Sequence, residues 1–328
     1  MRPASSASRA WPAFFGFRGL ATPGSVEQRY LRWSKASVTV QVVIVAIVLG
    51  IVGESVYWAA ARGLPPDFVM KRWTYMMGIE PPVPERIRIY AGSFEMGPSG
   101  RGDEYRLHPV NFAQPFELGR TEVTFGEWDA CVADGACNAY RPADQGWGRG
   151  SRPVINVTWE DAQAYVAWLG RKLGRTCRLP SEAEWEYACR AGTKKEYALP
   201  ADEGGSDDIR SKGFANCSDC GSEWDGLQTA PVGSFPPNPF GLQDMHGNVW
   251  EWVEDCWHEN YQDAPDDGRA WLVENGGDCS LRVFRGGSWN LPQGEARCDF
   301  RVRLYPDHRS GNLGFRVVCL SPSKIADH

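Results

Sequence analysis

The stretch Arg285-Gly-Gly-Ser-Trp289 is the most informative part of this 328-residue chain. A single cysteine, Cys298, follows nine residues after the tryptophan, and Gly311-Asn-Leu-Gly-Phe-Arg316 lies shortly beyond it. Ser288 has no general base near it in sequence, and a lone serine is more often a turn hydroxyl than a nucleophile. Two further motifs precede this region, Arg178-Leu-Pro-Ser-Glu-Ala-Glu-Trp-Glu-Tyr187 and Gly241-Leu-Gln-Asp-Met-His-Gly-Asn-Val-Trp-Glu-Trp252.

Together these motifs resemble the formylglycine-generating enzyme family, also called the sulfatase-modifying factor family. The resemblance covers roughly Pro84 to Leu320. It implies an α+β domain with little regular secondary structure, related to the C-type-lectin-like arrangement. It also implies an activity, since enzymes of this family oxidise a cysteine of sulfatases with copper held between two thiolates, ligands that copper(I) favours.

The thiols needed for that copper site cannot both be matched here. The family pattern places the first cysteine three residues beyond the serine, where this chain has Leu291. Cys298 falls near the second position if two residues are inserted, and the residue five beyond it is Arg303. We therefore expect no two-thiolate copper site. The resemblance leaves Cys298 as a candidate catalytic residue, with Ser288 and Trp250 as residues of the substrate groove.

Composition excludes one class of partner. The chain has 42% apolar and 23% charged residues, enough for one large domain or two ordinary ones. Its formal net charge is −6. Nucleic-acid-binding proteins need clustered lysine and arginine to displace counterions. We therefore expect no nucleic-acid partner.

An apolar segment near the N-terminus predicts a membrane anchor. Residues 36–61 are apolar apart from Glu54 and are long enough to cross about 30 Å of hydrocarbon. Residues 1–35 carry six basic residues against one acid, which the positive-inside rule interprets as a cytoplasmic tail. Residues 62–85 form a proline-rich linker with a short amphipathic helix, and 86–322 form the extracytoplasmic domain.

A cleaved signal peptide and a buried core helix are the alternatives to an anchor. The segment is longer than a signal peptide's apolar region and ends in the interfacial pair Tyr57-Trp58, which favours an anchor in contact with membrane lipid. All ten cysteines lie between Cys131 and Cys319. Their even number and position favour an oxidising compartment such as a bacterial periplasm.

Three capping boxes predict three helices. Thr124 with Glu127, Thr158 with Asp161 and Ser181 with Glu184 each place an acid three residues after a hydroxyl, which satisfies amide donors at a helix start. The predicted helices end near Ala133, Leu173 and Arg190. Beyond Gly192 the pattern predicts short strands joined by long loops, which need disulfides or metal ions as staples.

The cysteine spacing predicts several disulfides. Cys131 with Cys137, and Cys256 with Cys279, are interpreted as local bridges. The pair Cys217 and Cys220 is open to three interpretations, a redox pair, half of a zinc site or a disulfide, of which the oxidising location favours the last. The family resemblance implies the remaining two bridges, Cys189 with Cys298 and Cys177 with Cys319.

The resemblance also implies two structural calcium sites built from hard oxygen ligands. The alternative is that these acids and amides only form turns. The first site would use the side chains of Asn216 and Asp225 with the carbonyls of Cys217 and Leu227. The second would use the side chains of Asp244 and Glu251 with the carbonyls of Gly247 and Val249.

Two functional hypotheses follow. The first is a membrane-anchored, extracytoplasmic binding or scaffold subunit that holds a peptide or a membrane protein in the former substrate groove. The second is a divergent oxidase that modifies a cysteine of a sulfatase-type substrate. A receptor for a solute or glycan is a third, weaker alternative because no pocket motif is visible.

Overall fold

The computed structural model describes residues 82–98, 107–200, 207–210 and 212–320. The chain divides between Trp73 and Thr74 into two units, and every described residue belongs to the second. The expected cytoplasmic tail, membrane span and most of the linker lie outside the described residues. Within those described ranges, no helix has both the length and the apolar character needed to cross a bilayer.

The three predicted helices are confirmed. They are α1 (Phe125–Ala133), α2 (Trp159–Leu173) and α3 (Glu182–Arg190). Each follows its predicted hydroxyl cap, and both hydrogen bonds of each capping box are formed. Helix α2 ends at Gly174, whose φ of 65° suits a left-handed C-cap.

Ten strands form three sheets. In chain order they are β1 (Arg86–Ile89), β2 (Gly92–Met96), β3 (His108–Phe112), β4 (Phe116–Gly119), β5 (Cys177–Arg178), β6 (Trp250–Trp257), β7 (Asp278–Arg285), β8 (Arg301–Leu304), β9 (Leu313–Phe315) and β10 (Val318–Leu320). The sheet orders are β1-β4-β10-β5, β2-β3 and β8-β7-β6-β9. All pairings are antiparallel except β6 with β9. The predicted mixture of helices, short strands and long loops is confirmed.

The largest part of the core lies where helices α1 and α2 meet the β6 sheet. One face of α2 points into it, and Ala162, Tyr165, Val166 and Leu169 on that face are buried. The Tyr165 ring stacks on Trp128 of α1 at 5.9 Å and meets Phe315 of β9 edge-on at 5.4 Å. These rings join two helices to one sheet, which fixes the loops that leave the sheet.

Five disulfides staple the loops, and all ten cysteines are bonded as predicted. The bridges are Cys131–Cys137, Cys177–Cys319, Cys189–Cys298, Cys217–Cys220 and Cys256–Cys279. The bridge from Cys177 to Cys319 joins β5 to β10, two strands separated by 142 residues. The open interpretation of Cys217 and Cys220 is thus resolved in favour of a disulfide.

The four motifs that carry the family resemblance contact one another in the interior. They are Arg178–Tyr187, Gly241–Trp252, Arg285–Trp289 and Gly311–Arg316. Trp185 of α3 donates its indole N–H to Glu251 at 2.7 Å, and the same carboxylate pairs with Arg316 at 2.6 and 2.7 Å. Arg285 pairs with Glu186 of α3. Because each motif supplies a partner that another motif needs, the motifs together define the fold.

Gly287 shows why a glycine is needed next to Arg285. Its φ is 76°, and a Cβ there would lie 2.7 Å from the Cα of Ala296. Any other residue would therefore be strained in backbone conformation and would collide with the neighbouring chain.

Candidate functional site

The candidate catalytic cysteine, Cys298, is part of a disulfide. Sγ of Cys298 is bonded to Sγ of Cys189, and the described residues contain no free cysteine. The neighbouring His246 brings a ring nitrogen within 4.8 Å of both sulfurs. Cys298 therefore presents no thiolate for nucleophilic or copper chemistry while this bridge is intact.

His246 is held as a neutral ring. Its Nδ1 donates to the carbonyl of Ala296 at 2.8 Å, and its Nε2 accepts from the amide of Ala198 at 3.0 Å. Burial lowers the pKa of His246 to about 4. With both ring nitrogens engaged, the imidazole supports the loop around the disulfide rather than offering a free ligand atom.

Ser288 lies in a network of amides and hydroxyls. Its Oγ donates to Oδ1 of Asn290 at 2.9 Å, while Nδ2 of Asn312 donates to Ser288 Oγ at 3.2 Å and to Asn290 Oδ1 at 3.0 Å. No histidine or carboxylate is among these partners, so the hydroxyl lacks the base that a serine nucleophile requires.

Two tryptophans border this network. The rings of Trp147 and Trp289 meet edge-on at 5.2 Å, and the Trp289 indole donates to the carbonyl of Gly311 at 3.2 Å. We call Trp147, Ser288, Trp289, Asn290 and Asn312 the tryptophan–asparagine surface. Asn290 is exposed, and its Nδ2 donates to no acceptor within the described part of the chain. The surface thus offers one free amide donor beside two aromatic rings.

Trp250 has a different position from the one implied by the resemblance. Its side chain is only 4% exposed and packs against Phe284 at 5.0 Å and Phe300 at 6.1 Å. Only its backbone approaches the surface, where its amide donates to the carbonyl of Asn312 at 2.8 Å. In this structure Trp250 supports the surface from the core instead of lining it.

The first predicted calcium loop brings its two side-chain ligands together. The Ser222 hydroxyl donates to Oδ1 of Asp225 at 2.5 Å and lies 3.3 Å from Oδ1 of Asn216. The Ser222 hydroxyl therefore bridges the two side chains, and the other carboxylate oxygen of Asp225 accepts from the amide of Gly221. The carbonyls that complete the predicted ligand set belong to Cys217 and Leu227, which lie in the same loop. The Leu227 side chain is exposed, and only its backbone carbonyl is a predicted ligand.

The second predicted loop places its two acids in different surroundings. Glu251 is already paired with Arg316 and Trp185. Asp244 accepts from the amide of Gly233 at 2.6 Å through Oδ2, while its buried Oδ1 has no partner among the described residues.

A third acid, Glu122, completes this cluster and was missed by sequence reasoning. Its Oε1 accepts from Asn248 at 3.0 Å, and its Oε2 is buried without a partner in the described residues. Burial raises the pKa of Glu122, as do the carboxylates of Asp244 and Glu251. Burial also raises the pKa of Asp244 to about 6. Glu122 lies two residues before Thr124, the cap of α1, and belongs to no motif recognised in the sequence. Nothing local in the sequence therefore indicated that it is part of the site.

The oxygen donors of this acid-rich cluster have the chemistry that a divalent cation prefers. Three buried carboxylates, those of Glu122, Asp244 and Glu251, face a single guanidinium, that of Arg316. Two of their oxygens, one each on Glu122 and Asp244, have no donor among the described residues. Buried carboxylates must pair, coordinate a metal or take up a proton. Hard oxygens with excess negative charge are the donor set that calcium prefers.

The two loops are built against each other and against the Arg285–Trp289 stretch. The amide of Asn248 donates to the carbonyl of Asn216 at 2.8 Å, and the amide of Gly247 donates to Gly286 at 2.7 Å. Asn248 in turn accepts from the amide of Trp289 at 2.9 Å. These two loops therefore hold the tryptophan–asparagine surface in place.

Comparison with known proteins agrees with this architecture. The family model of the sulfatase-modifying factor enzyme 1-like domain matches residues 76–320. The formylglycine-generating enzyme of Mus musculus is 36% identical over an alignment of 190 residues, and the match covers 52% of this chain and 45% of that protein. The inactive C-alpha-formylglycine-generating enzyme 2 of Mus musculus is 36% identical over an alignment of 174 residues, and the match covers 51% of this chain and 48% of that protein. The chain thus spans about half the length of these curated relatives.

A solved structure extends the comparison over nearly the whole described domain. PvdO from Pseudomonas aeruginosa is 39% identical, with a TM-score of 0.62, and the match covers 73% of this chain and 95% of that one. The shared architecture is a formylglycine-generating-enzyme-like fold of mixed helices and strands. With a family model matching most of its length, this chain belongs to the sulfatase-modifying factor family.

Proposed function

We propose that this chain is a non-catalytic member of its family, a binding or scaffold subunit that engages a peptide or membrane-protein partner. The observation that carries the proposal is that all ten cysteines are bonded in disulfides, which leaves no thiolate for a copper site. With Leu291 at the first thiol position, the chain lacks both thiolates of the family's copper site. The inactive mouse relative is a precedent for such a member, and at 36% identity it is as similar to this chain as the mouse formylglycine-generating enzyme is.

The partner site proposed here is the tryptophan–asparagine surface. Tryptophan is favoured at interfaces because its rigid ring buries a large area at little entropic cost. The free Nδ2 of Asn290 supplies a donor for a backbone carbonyl. An extended peptide, which carries a regular row of carbonyls, suits this combination of donor and aromatic rings.

We further propose that calcium binds both predicted loops. Asn216, Asp225 and the carbonyls of Cys217 and Leu227 would hold one ion. Asp244, Glu251, Glu122 and the carbonyls of Gly247 and Val249 would hold the other. Bound calcium would neutralise the excess buried charge and stiffen the loops beneath the partner surface.

The anchor and location remain part of the proposal. Residues 36–61 would span the membrane, with residues 1–35 cytoplasmic and the domain in the periplasm or an equivalent extracytoplasmic space. Five disulfides within the described domain support an oxidising location.

A copper assay tests the non-catalytic part. The full-length chain, in a non-ionic detergent, is incubated with copper(I) under mild reduction and given oxygen and a cysteine peptide. We expect neither stoichiometric tight copper nor peptide oxidation. Turnover would instead support the second candidate, a divergent formylglycine-generating oxidase that modifies a cysteine of a sulfatase-type substrate, which the 36% identity to the mouse enzyme favours.

Site-specific photo-crosslinking tests the surface. A photoreactive amino acid replaces Asn290 in the full-length chain in its native membranes, and the matched control carries it at Gln262, an exposed residue outside the surface. We expect a discrete protein adduct from position 290 only. Equal labelling from both positions, or none from position 290, would sink the scaffold proposal.

A further inference from the structure

A cavity of about 360 Å³ opens between the loop after β6 and the segment around β8. This volume lies within the range of pockets that bind small molecules. No residue of the tryptophan–asparagine surface lines it. The residues that shape its chemistry are three aromatics and three arginines, Trp257, Tyr261, Phe300, Arg297, Arg301 and Arg303.

Arg301 forms a rigid floor to the cavity. Its Nε and Nη2 donate to the buried carboxylate of Glu182 at 2.7 and 3.0 Å, and its Nη1 donates to the carbonyl of His258 at 2.7 Å. The guanidinium lies 4.2 Å from the ring centroid of Trp257 and 4.9 Å from that of Tyr261. With these donors engaged, Arg301 holds the aromatic walls in place.

Arg303, in contrast, has one long ion-pair contact and is partly exposed. Its guanidinium stacks on Trp257 at 4.4 Å, and its Nη1 reaches Oε1 of Glu259 at only 3.4 Å. The Arg303 side chain is 42% exposed and that of Glu259 is 75% exposed. An exposed pair of this kind contributes little stability. Oε1 of Glu259 also accepts from the Trp257 indole at 3.0 Å, so the longer contact with Arg303 is the one that another carboxylate can take over.

Arg297 supplies a second set of donors. Its Nε donates to Asp299 at 2.9 Å, and the guanidinium lies 5.3 Å from the ring centroid of Phe300. Within the described ranges, neither Nη of Arg297 donates a hydrogen bond. Two guanidiniums with unused donors thus accompany aromatic walls in one cavity of small-molecule size.

We propose that this cavity binds the carboxylate of a small aromatic acid. The planar guanidinium fork matches a carboxylate in two parallel hydrogen bonds, and stacking on Trp257 preorganises that of Arg303. The apolar body of the ligand contacts Trp257 and Phe300. Without ligand, the Glu259 carboxylate pairs with Arg303. When ligand is present, the two carboxylates compete for that guanidinium.

Two charge variants with opposite expected effects test this site. Benzoate is titrated into the full-length chain in a non-ionic detergent, and binding is followed by tryptophan fluorescence and calorimetry. Arg303→Gln should weaken benzoate binding by about tenfold or more, because it removes the bidentate partner. Glu259→Gln should strengthen binding by roughly threefold, because it removes the competing carboxylate. Misfolding cannot produce the second result.

Matched controls define the chemistry. Arg269→Gln removes an exposed arginine that pairs with Asp267 and does not line the cavity, so benzoate affinity should not change. Neutral benzamide should bind much more weakly than benzoate. The proposal is overturned if benzoate does not bind, if benzamide or inorganic phosphate binds as tightly, or if Arg303→Gln and Glu259→Gln fail to shift affinity in opposite directions.

Discussion

Two buried clusters of charged residues in this domain differ in how their carboxylates find hydrogen-bond partners. In the arginine-rich cluster, Arg190, Arg285 and Arg301 surround the carboxylates of Glu182 and Glu186, and every oxygen of both carboxylates accepts a hydrogen bond. In the acid-rich cluster, three carboxylates share Arg316, and one oxygen each of Glu122 and Asp244 has no donor among the described residues.

The difference follows from the chemistry of the side chains. A guanidinium carries five donors, so a few arginines can satisfy several carboxylate oxygens at once. Carboxylates cannot satisfy one another unless they take up protons. In the arginine-rich cluster every oxygen of Glu182 and Glu186 therefore has a donor, although Arg285 Nε has no hydrogen-bond partner among the described residues. In the acid-rich cluster two carboxylate oxygens have no such donor, and this is where we propose that calcium binds. Removing an acid should consequently have opposite effects in the two clusters.

The largest effect is expected from Glu186→Gln in the arginine-rich cluster. This change leaves the buried guanidiniums of Arg190 and Arg285 without their shared anion. Breaking a buried ion pair from one side costs about 3–5 kcal/mol. Urea unfolding of the full-length chain should show this loss, whereas Glu160→Gln, an exposed change at the start of α2, should change little. A loss below about 1 kcal/mol would contradict the role given to this cluster.

A smaller effect of opposite sign is expected from Glu122→Gln in the acid-rich cluster. Without calcium, the change should leave stability equal or higher, because it replaces a carboxyl group whose ionisation burial, Asp244 and Glu251 all oppose. Calcium at a hundred times its dissociation constant should stabilise the unaltered chain by about 2.7 kcal/mol. Thermal unfolding with calcium or a chelator measures both quantities.

The calcium response separates this prediction from a general loss of fold. Glu122→Gln should reduce the calcium-dependent stabilisation, and Glu160→Gln should preserve it. Magnesium, which prefers smaller octahedral sites, should stabilise the chain less than calcium. An unaltered calcium response in Glu122→Gln would remove Glu122 from the set of ligands.

The smallest effect concerns pH and Asp255, beside the arginine-rich cluster. Burial and the carboxylate of Glu182 raise the pKa of Asp255 to about 8, from about 3.9 in an unfolded chain. Unfolding therefore releases a proton between these values, so this stability is present at low pH and is lost as pH rises through about 8. In Asp255→Asn, the fall in the free energy of unfolding between pH 5 and pH 8 should be shallower. If the pH dependence of the free energy of unfolding is the same in Asp255→Asn as in the unaltered chain, a group other than Asp255 is responsible for it.

Much of the fold could be predicted from local sequence signals. The hydroxyl and acid of each capping box lie within one helical turn, so the starts of α1, α2 and α3 were visible. The disulfides were also predicted, partly because close spacing restricts the choice of partner. The sheet order was not predicted, because the pairing of β10 with β4 and β5 depends on contacts across most of the chain.

The candidate site was less predictable. Asn216 and Asp225 lie in one loop, and both accept a hydrogen bond from Ser222, while calcium binding there stays a prediction. Glu122 contacts Asn248 across 126 residues, a separation that no local pattern encodes. Trp250 was expected at the groove, but alternation along β6 turns its ring toward Phe284 and the core. The arginine-lined cavity was not expected, because its walls come from separate segments.

The bridge between Cys177 and Cys319 also governs what a protease can do to this domain. A single cut at any exposed peptide bond between these two cysteines leaves one cysteine on each fragment, still covalently joined. The long loops of this fold can therefore be nicked without release of either piece. Such a nicked molecule would separate into fragments on a gel only after reduction.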